Sequence, residues 1–77
     1  MTNHCDGTDI KQDVSAKNAS EITATVNGNP VVPDVVNQGS GTFEVTIDSG
    51  DFTTGDEVII YHNGDVAPPS PYTIVVC

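Results

Sequence analysis

Alternation of apolar and polar side chains over residues 42–48 constrains the fold of this chain more than any other feature. The apolar members would line one face of an extended strand, and the polar members between them would face water. The apolar members are Phe43, Val45 and Ile47. A second apolar segment, residues 57–62, ends at Asn63-Gly64, a dipeptide that is typical of tight β-hairpin turns. The spacing therefore predicts β-strands, and no segment shows helical periodicity.

Three further segments also favour extended structure. Residues 21–26 predict a strand with Ile22, Ala24 and Val26 inward, followed by a turn at Asn27-Gly28. Residues 72–77 are rich in β-branched side chains and predict a closing strand. Residues 30–36 are apolar but contain two prolines, which predicts an edge strand or an extended connector.

Residues 1–20 are polar and predict an N-terminal arm, with one short edge strand around residues 9–14. Residues 21–77 then form the one domain that the length allows. Short strands separated by turn residues indicate a sandwich or barrel. The fold expected is all-β: a small antiparallel β-sandwich of about six or seven short strands.

Several segments follow a single pattern: a strand ending in Asn-Gly, a Gly-Thr-Phe-x-Val-Thr-Ile strand, a hydrophobe, Gly-Asp and a closing Val-rich strand. They are Val26-Asn27-Gly28, Gly41-Thr42-Phe43-Glu44-Val45-Thr46-Ile47, Phe52, Gly55-Asp56-Glu57-Val58 and Thr73-Ile74-Val75-Val76. In this pattern residues 21–76 resemble the bacterial immunoglobulin-like (Big-type) domains of adhesins and phage virion proteins. The resemblance implies an immunoglobulin-like sandwich with a structural role. The chain is shorter than the ~100 residues usual for such sandwiches, so a strand would be missing or supplied by a neighbour.

The charge balance excludes several classes of partner. Eleven acidic residues face two lysines, Lys11 and Lys17, which gives a formal charge of −9. Nucleic acid and anionic membrane surfaces both need clustered basic residues, so neither is an expected partner. No apolar segment approaches the roughly 20 residues needed for membrane insertion. Residues 1–20 lack the features of a signal peptide, so we expect release without the secretory route or a signal that has been removed.

Cys5 and Cys77 indicate an oxidising or extracellular setting. Three states are open: an intrachain bridge worth roughly 4 kcal/mol, an interchain link from Cys5 of one copy to Cys77 of the next, or free thiols. In an immunoglobulin-like sandwich the first and last strands run parallel, which would place the two chain ends at opposite poles. An intrachain bridge would then require the polar arm to fold back.

No cofactor or metal site is expected. His4 and His62 are the only histidines, too few for zinc, and His62 is predicted to face solvent beside a turn. Residues 6–9 and 48–51 each place two carboxylates around a glycine, but calcium takes roughly six to eight oxygen ligands. We therefore interpret both segments as turns, and Asp56 as a residue that closes one.

Catalysis finds no support in the sequence. There is no Ser-His-Asp grouping in a plausible context, no phosphate-binding loop and no pair of carboxylates in an apolar pocket. A thin core would also leave little room for a pocket of ~300 Å³ or more. The protein is therefore predicted not to be an enzyme.

The segment at residues 30–36 is the best candidate for a contact surface, together with residues 1–20. Its valines either pack on a neighbouring subunit or simply cover one edge of the core. They are Val31, Val32, Val35 and Val36.

These observations predict a structural protein on a virion surface or in an extracellular setting, most concretely a phage capsid decoration or cement protein. Its partners would be the subunits of a larger protein assembly, including further copies of itself. One alternative is a subunit of an extracellular filament or pilus, held by strand exchange or interchain disulfides. The other is a module that binds carbohydrate or a cell surface, for which only Tyr61 and Tyr72 offer exposed aromatic rings.

Overall fold

The structure, a computed structural model, describes residues 2–63 and 68–77. This part of the chain forms eight strands and two short 3₁₀ turns, Ala19–Glu21 and Ser49–Asp51. The strands are β1 (Thr2–His4), β2 (Ile10–Ser15), β3 (Thr23–Val26), β4 (Asn29–Val31), β5 (Asp34–Gly39), β6 (Thr42–Ile47), β7 (Glu57–Tyr61) and β8 (Tyr72–Val76). None of the described helices is long and apolar enough to span a membrane.

The strands form two sheets. The large sheet has the order β1-β8-β7-β3-β4, and the small sheet has the order β2-β6-β5. Strands β1 and β8 run parallel, and every other described pair is antiparallel. Strands β8, β7, β3 and β4 follow the order G-F-C-C′ of an immunoglobulin-like sandwich, and β2, β6 and β5 follow the order B-E-D. Strand β1 is an additional strand beside β8. The predicted small all-β sandwich is confirmed.

Two differences bring the strand number from the expected six or seven to eight. The polar residues Thr2–His4 form β1, which sequence periodicity did not predict. Residues 30–36 do not form one strand, because Val32 and Pro33 carry the chain from β4 in the large sheet to β5 in the small sheet. Pro30 is accommodated in β4 since that strand lies at a sheet edge, where a missing N–H costs no ladder bond.

Two tight turns set the register of neighbouring strands. Asn27 and Gly28 have φ angles of +50° and +83°, and Ser40 and Gly41 have φ angles of +55° and +79°. Two successive left-handed residues define the type I′ geometry that matches the twist of a hairpin. The turn predicted at Asn27-Gly28 is therefore present and joins β3 to β4. The turn predicted at Asn63-Gly64 includes Gly64, which lies outside the described residues.

The core lies between the sheets and consists of inward residues from alternate strand positions. Val45, Ile47, Val58 and Ile60 have no exposed surface. The inward faces predicted for β3 and β6 are confirmed. The buried apolar residues are Ile10, Val14, Ala16, Ile22, Ala24, Val26, Phe43, Val45, Ile47, Val58, Ile60, Ile74 and Val76.

Residues 2–15 belong to the sandwich. Strand β1 pairs with β8 in the large sheet, and β2 pairs with β6 in the small sheet. Ile10 and Val14 of β2 are among the most buried side chains. Removal of these residues would therefore open the core and delete one strand from each sheet.

Candidate contact surfaces

Cys5 and Cys77 form an intrachain disulfide with a Cα–Cα distance of 4.6 Å, so the chain has no free cysteine. The parallel register of β1 and β8 brings them together. His4 lies opposite Val76, and the next residue of each strand is a cysteine. The backbone N–H of Cys77 donates to the carbonyl of His4 at 3.0 Å. The expected separation of the chain ends does not arise, because Cys5 follows the end of β1 and the end of the parallel β8 lies beside it.

The segment after Cys5 is held by internal hydrogen bonds. His4 Nε2 donates to the carbonyl of Thr8 at 2.6 Å, and the His4 ring packs edge-on against Phe52 with 5.7 Å between centroids. The Asp6 carboxylate accepts the Thr8 hydroxyl at 2.6 Å and the Thr8 backbone N–H at 3.0 Å. These two bonds stabilise the charged form and lower the pKa of Asp6 from its ordinary value. The Asp6 carboxylate therefore stabilises the turn that follows Cys5.

The acidic loops at residues 6–9 and 48–51 lie against each other but are not arranged as a cation site. Asp9 Oδ1 accepts the backbone N–H of Ser49 at 2.8 Å, and Asp48 Oδ2 accepts that of Gly50 at 2.8 Å. Carboxylates in such positions complete turns by accepting free N–H groups. Nowhere in residues 2–63 and 68–77 do three His, Cys, Asp or Glu side chains converge on a point where a metal could bind.

Asp56 connects two turns. Its Oδ1 accepts the side-chain amide of Asn27 at 2.8 Å, and its Oδ2 accepts the backbone N–H of Thr53 at 2.9 Å. Asn27 in turn accepts the backbone N–H of Glu57 at 2.9 Å. The carboxylate therefore joins the β3–β4 hairpin to the turn at residues 53–56, which immediately precedes β7.

We expect Asp56→Ala to lower the free energy of unfolding by about 1–2 kcal/mol, because two donors lose a charged acceptor. The matched control is Asp51→Ala, which removes the same charge. Among the described residues the Asp51 side chain accepts no hydrogen bond, so this control should leave stability nearly unchanged. Urea unfolding followed by circular dichroism measures both. Equal losses would show that the Asp56 bonds contribute nothing specific.

His62 is buried, and the prediction that it faces solvent is wrong. Only 7% of its surface is exposed, because it continues the inward positions of Val58 and Ile60 by one more alternation. Nδ1 donates to the carbonyl of Ser15 at 2.9 Å, and the backbone N–H donates to Ser70 Oγ at 3.0 Å. Nε2 is buried and has no hydrogen-bond partner among the described residues. His62 therefore connects the end of β2 to the segment before β8.

A groove of about 400 Å³ lies at the side of the sandwich where the edges of β1 and β2 face each other. Ile10 and Ile74 contribute apolar surface, and His4, Lys11 and Gln12 contribute polar surface. The thin core was expected to leave little room for a pocket of ~300 Å³ or more. The groove lies outside the core, between two sheet edges. No serine or cysteine is among the described residues that line the groove.

The four valines of the predicted contact segment divide into two pairs. Val31 and Val35 are partly buried and pack against the core. Val32 is 91% exposed and Val36 is 54% exposed, the largest values among the large hydrophobic residues of the described chain. Val31 and Val35 therefore cover the core. Val32 and Val36 present aliphatic surface where the chain crosses from β4 in the large sheet to β5 in the small sheet, a region that we call the β4–β5 edge.

The outer faces of the two sheets differ in charge. Strand alternation and register place Lys11, Asp13, Asp34 and Glu44 on the outer face of the small sheet. Among the described outward positions of the large sheet, Glu57 is the only charged residue. Those positions are Asn3, Thr23, Thr25, Pro30, Glu57, Ile59, Tyr61, Thr73 and Val75.

Tyr61 and Tyr72 do not form one aromatic surface. Tyr72 lies opposite the buried Ile60, so its side chain is on the inner side of the large sheet, where its hydroxyl contacts Thr2. Tyr61 is exposed and lies on the outer side of the same sheet. A carbohydrate cannot stack on both rings at once.

Comparison with known proteins identifies no relative: the chain matches no protein-family model, no curated protein and no solved structure. The chain is therefore classed by its fold, a small two-sheet all-β sandwich closed by a disulfide between Cys5 and Cys77.

Proposed function

We propose that this protein is a non-enzymatic structural subunit that decorates the surface of a larger protein shell, as a phage capsid decoration or cement protein does. The observation that carries the proposal is the aliphatic surface of Val32 and Val36 at one edge of a sandwich with a formal charge of −9. The choice of a virion surface rests on the resemblance of residues 21–76 to domains found on phage virion proteins.

The charge distribution supports docking on protein. Complete burial of a valine is worth about 1.5–3 kcal/mol, so two exposed valines are a substantial source of binding energy. The outer face of the large sheet, which includes Val75, lies on the opposite side of the sandwich from Val36 and is not part of this docking surface. Val36 lies on the outer face of the small sheet opposite Glu44, so the partner would cover that side of the face, while Lys11 and Asp13 on β2 would remain in solvent.

The disulfide supports a setting outside the reducing cytoplasm. It also bears on the rival filament hypothesis, because an intrachain bridge uses both thiols and leaves none for links between copies. The carbohydrate-binding alternative gains no support from the opposite positions of Tyr61 and Tyr72.

The test begins with particles purified from the native source on a density gradient. Mass spectrometry should find the 8.0 kDa chain in the particle fraction. Purified chain is then added to particles depleted of it, and the bound fraction is measured. The double variant Val32→Ser with Val36→Thr should bind about tenfold more weakly or worse, since it loses apolar surface without a change of charge.

The control is Val75→Thr, which makes a similar change on the outer face of the large sheet. It should retain most of the wild-type affinity. Absence of the chain from particles would overturn the proposed function. Binding of the double variant at wild-type strength would remove the β4–β5 edge as its basis.

A further inference from the structure

The sandwich has four sheet edges, and they differ in how well they are protected from pairing with another chain. Strands β1 and β4 have only three residues each, and β4 contains a proline. Strand β5 has an irregular register between Asn37 and Gly39. Short length, proline, irregular pairing and charged side chains are the usual means by which proteins protect sheet edges.

Of these features the edge of β2 has only charged side chains, Lys11 and Asp13, and these are opposite in sign. It has six residues without proline, and its register with β6 is continuous from Ile10 opposite Ile47 to Ser15 opposite Thr42. The groove of about 400 Å³ separates it from β1, so β1 does not cover this edge. The carbonyl of Asp13 accepts the side-chain amide of Gln12 at 2.9 Å, a bond that a backbone N–H from another strand could replace.

The sequence of β2, Ile-Lys-Gln-Asp-Val-Ser, is complementary to itself in antiparallel pairing. With Gln12 on a two-fold axis, Lys11 lies opposite Asp13 of a second copy, and Ile10 lies opposite Val14 of that copy. Both copies gain the same two pairs, as an isologous interface requires. Opposite charges in directly opposed strand positions are stabilising.

Charge also favours a second copy of this chain as the partner that pairs with the β2 edge. Lys11 is one of two cations in a chain with a net charge of −9, yet it has no intrachain salt bridge among the described residues. Lys11 and Asp13 are both exposed on the outer face of the small sheet. The edge is therefore locally neutral, and it offers one cation and one anion at the spacing that the same edge of another copy would need.

We propose that two copies of this protein associate through antiparallel pairing of β2 with β2, which joins two three-stranded small sheets into one six-stranded sheet. The dimer leaves Val32 and Val36 free, because β4 and β5 lie at other edges. The inference does not depend on the proposed function, and its test needs no shell.

Sedimentation equilibrium on the full-length chain tests the proposal, with a concentration series that reaches about 1 mM so that weak association is detected. The 8.0 kDa chain should convert to twice that mass as concentration rises. Asp13→Lys and Lys11→Asp should each weaken self-association at least about tenfold, because each places like charges opposite one another twice.

A mixture of the two single variants gives the sharpest result. In a mixed pair, two acidic side chains of one variant face two lysines of the other, so the mixture should associate although neither variant does so alone. The double variant Lys11→Asp with Asp13→Lys should restore self-association. The control is Asp34→Lys, which makes the same charge change on β5 and should dimerise like the wild type. A monomeric wild type, a mixture that does not associate, or an equal effect of Asp34→Lys would each overturn the proposal.

Discussion

Loss of the Cys5–Cys77 disulfide should lower the free energy of unfolding by about 4 kcal/mol, one of the two largest effects expected in this chain. The bridge joins residues separated by 72 positions, so it restricts almost the whole unfolded chain. A domain of this size is stabilised by only roughly 4–12 kcal/mol in total. Without the bridge, the sandwich would be at the limit of stability, and the pairing of β1 with β8 would lose its anchor.

The measurement compares urea unfolding of the oxidised chain, the reduced chain and the variant Cys5→Ser with Cys77→Ser. Circular dichroism reports the loss of strands, and intact mass confirms that the oxidised chain is lighter by two hydrogens. Reductant should not affect the serine variant, which controls for effects of the reductant itself. An unchanged urea midpoint after reduction would show that the bridge does not stabilise the native state.

The central strands were predictable from sequence because their environment is asymmetric. In β6 and β3, one face meets the core and the other meets solvent, so apolar and polar residues alternate. The Asn27-Gly28 turn was predictable for a local reason, since few residues tolerate two successive left-handed conformations.

Strand β1 was not predictable because its residues are polar. Thr2–His4 become a strand by pairing with β8, more than 70 positions away, and no local signal in residues 2–4 records that partner. Prediction of the disulfide also required knowledge that β1 pairs with β8. Once the parallel register of β1 and β8 is known, the proximity of Cys5 and Cys77 follows, but the sequence alone left three states open.

The contact surfaces were predictable only in part, for a geometric reason. A run of valines indicates apolar surface, but the exposed pair is decided by the crossing at Val32 and Pro33. His62 illustrates the same limit, because a histidine next to a turn looks exposed until the alternation of β7 is extended to it. The open edge of β2 is a property of sheet order, which periodicity within one strand does not contain.

The second large effect should come from the core of the large sheet. Ile60 has no exposed surface and lies on β7 between Ala24 of β3 and Tyr72 of β8. We expect Ile60→Ala to lower the free energy of unfolding by about 2–5 kcal/mol, because it removes apolar contacts and leaves a cavity. In so small a core few neighbours can move to fill that space, which favours the upper part of this range.

Ile59→Ala is a closely matched control, since it makes the same substitution one position earlier in the same strand. Ile59 points to the outer face of the large sheet and is only half-buried, so its loss should cost about 1 kcal/mol. Urea unfolding of the two variants under oxidising conditions measures the difference while the disulfide stays intact. Because strand propensity and backbone pairing are nearly the same at both positions, a larger loss for Ile60→Ala reports burial between the sheets. Equal losses would mean that the inward and outward faces of β7 are assigned incorrectly, and with them the packing of the two sheets.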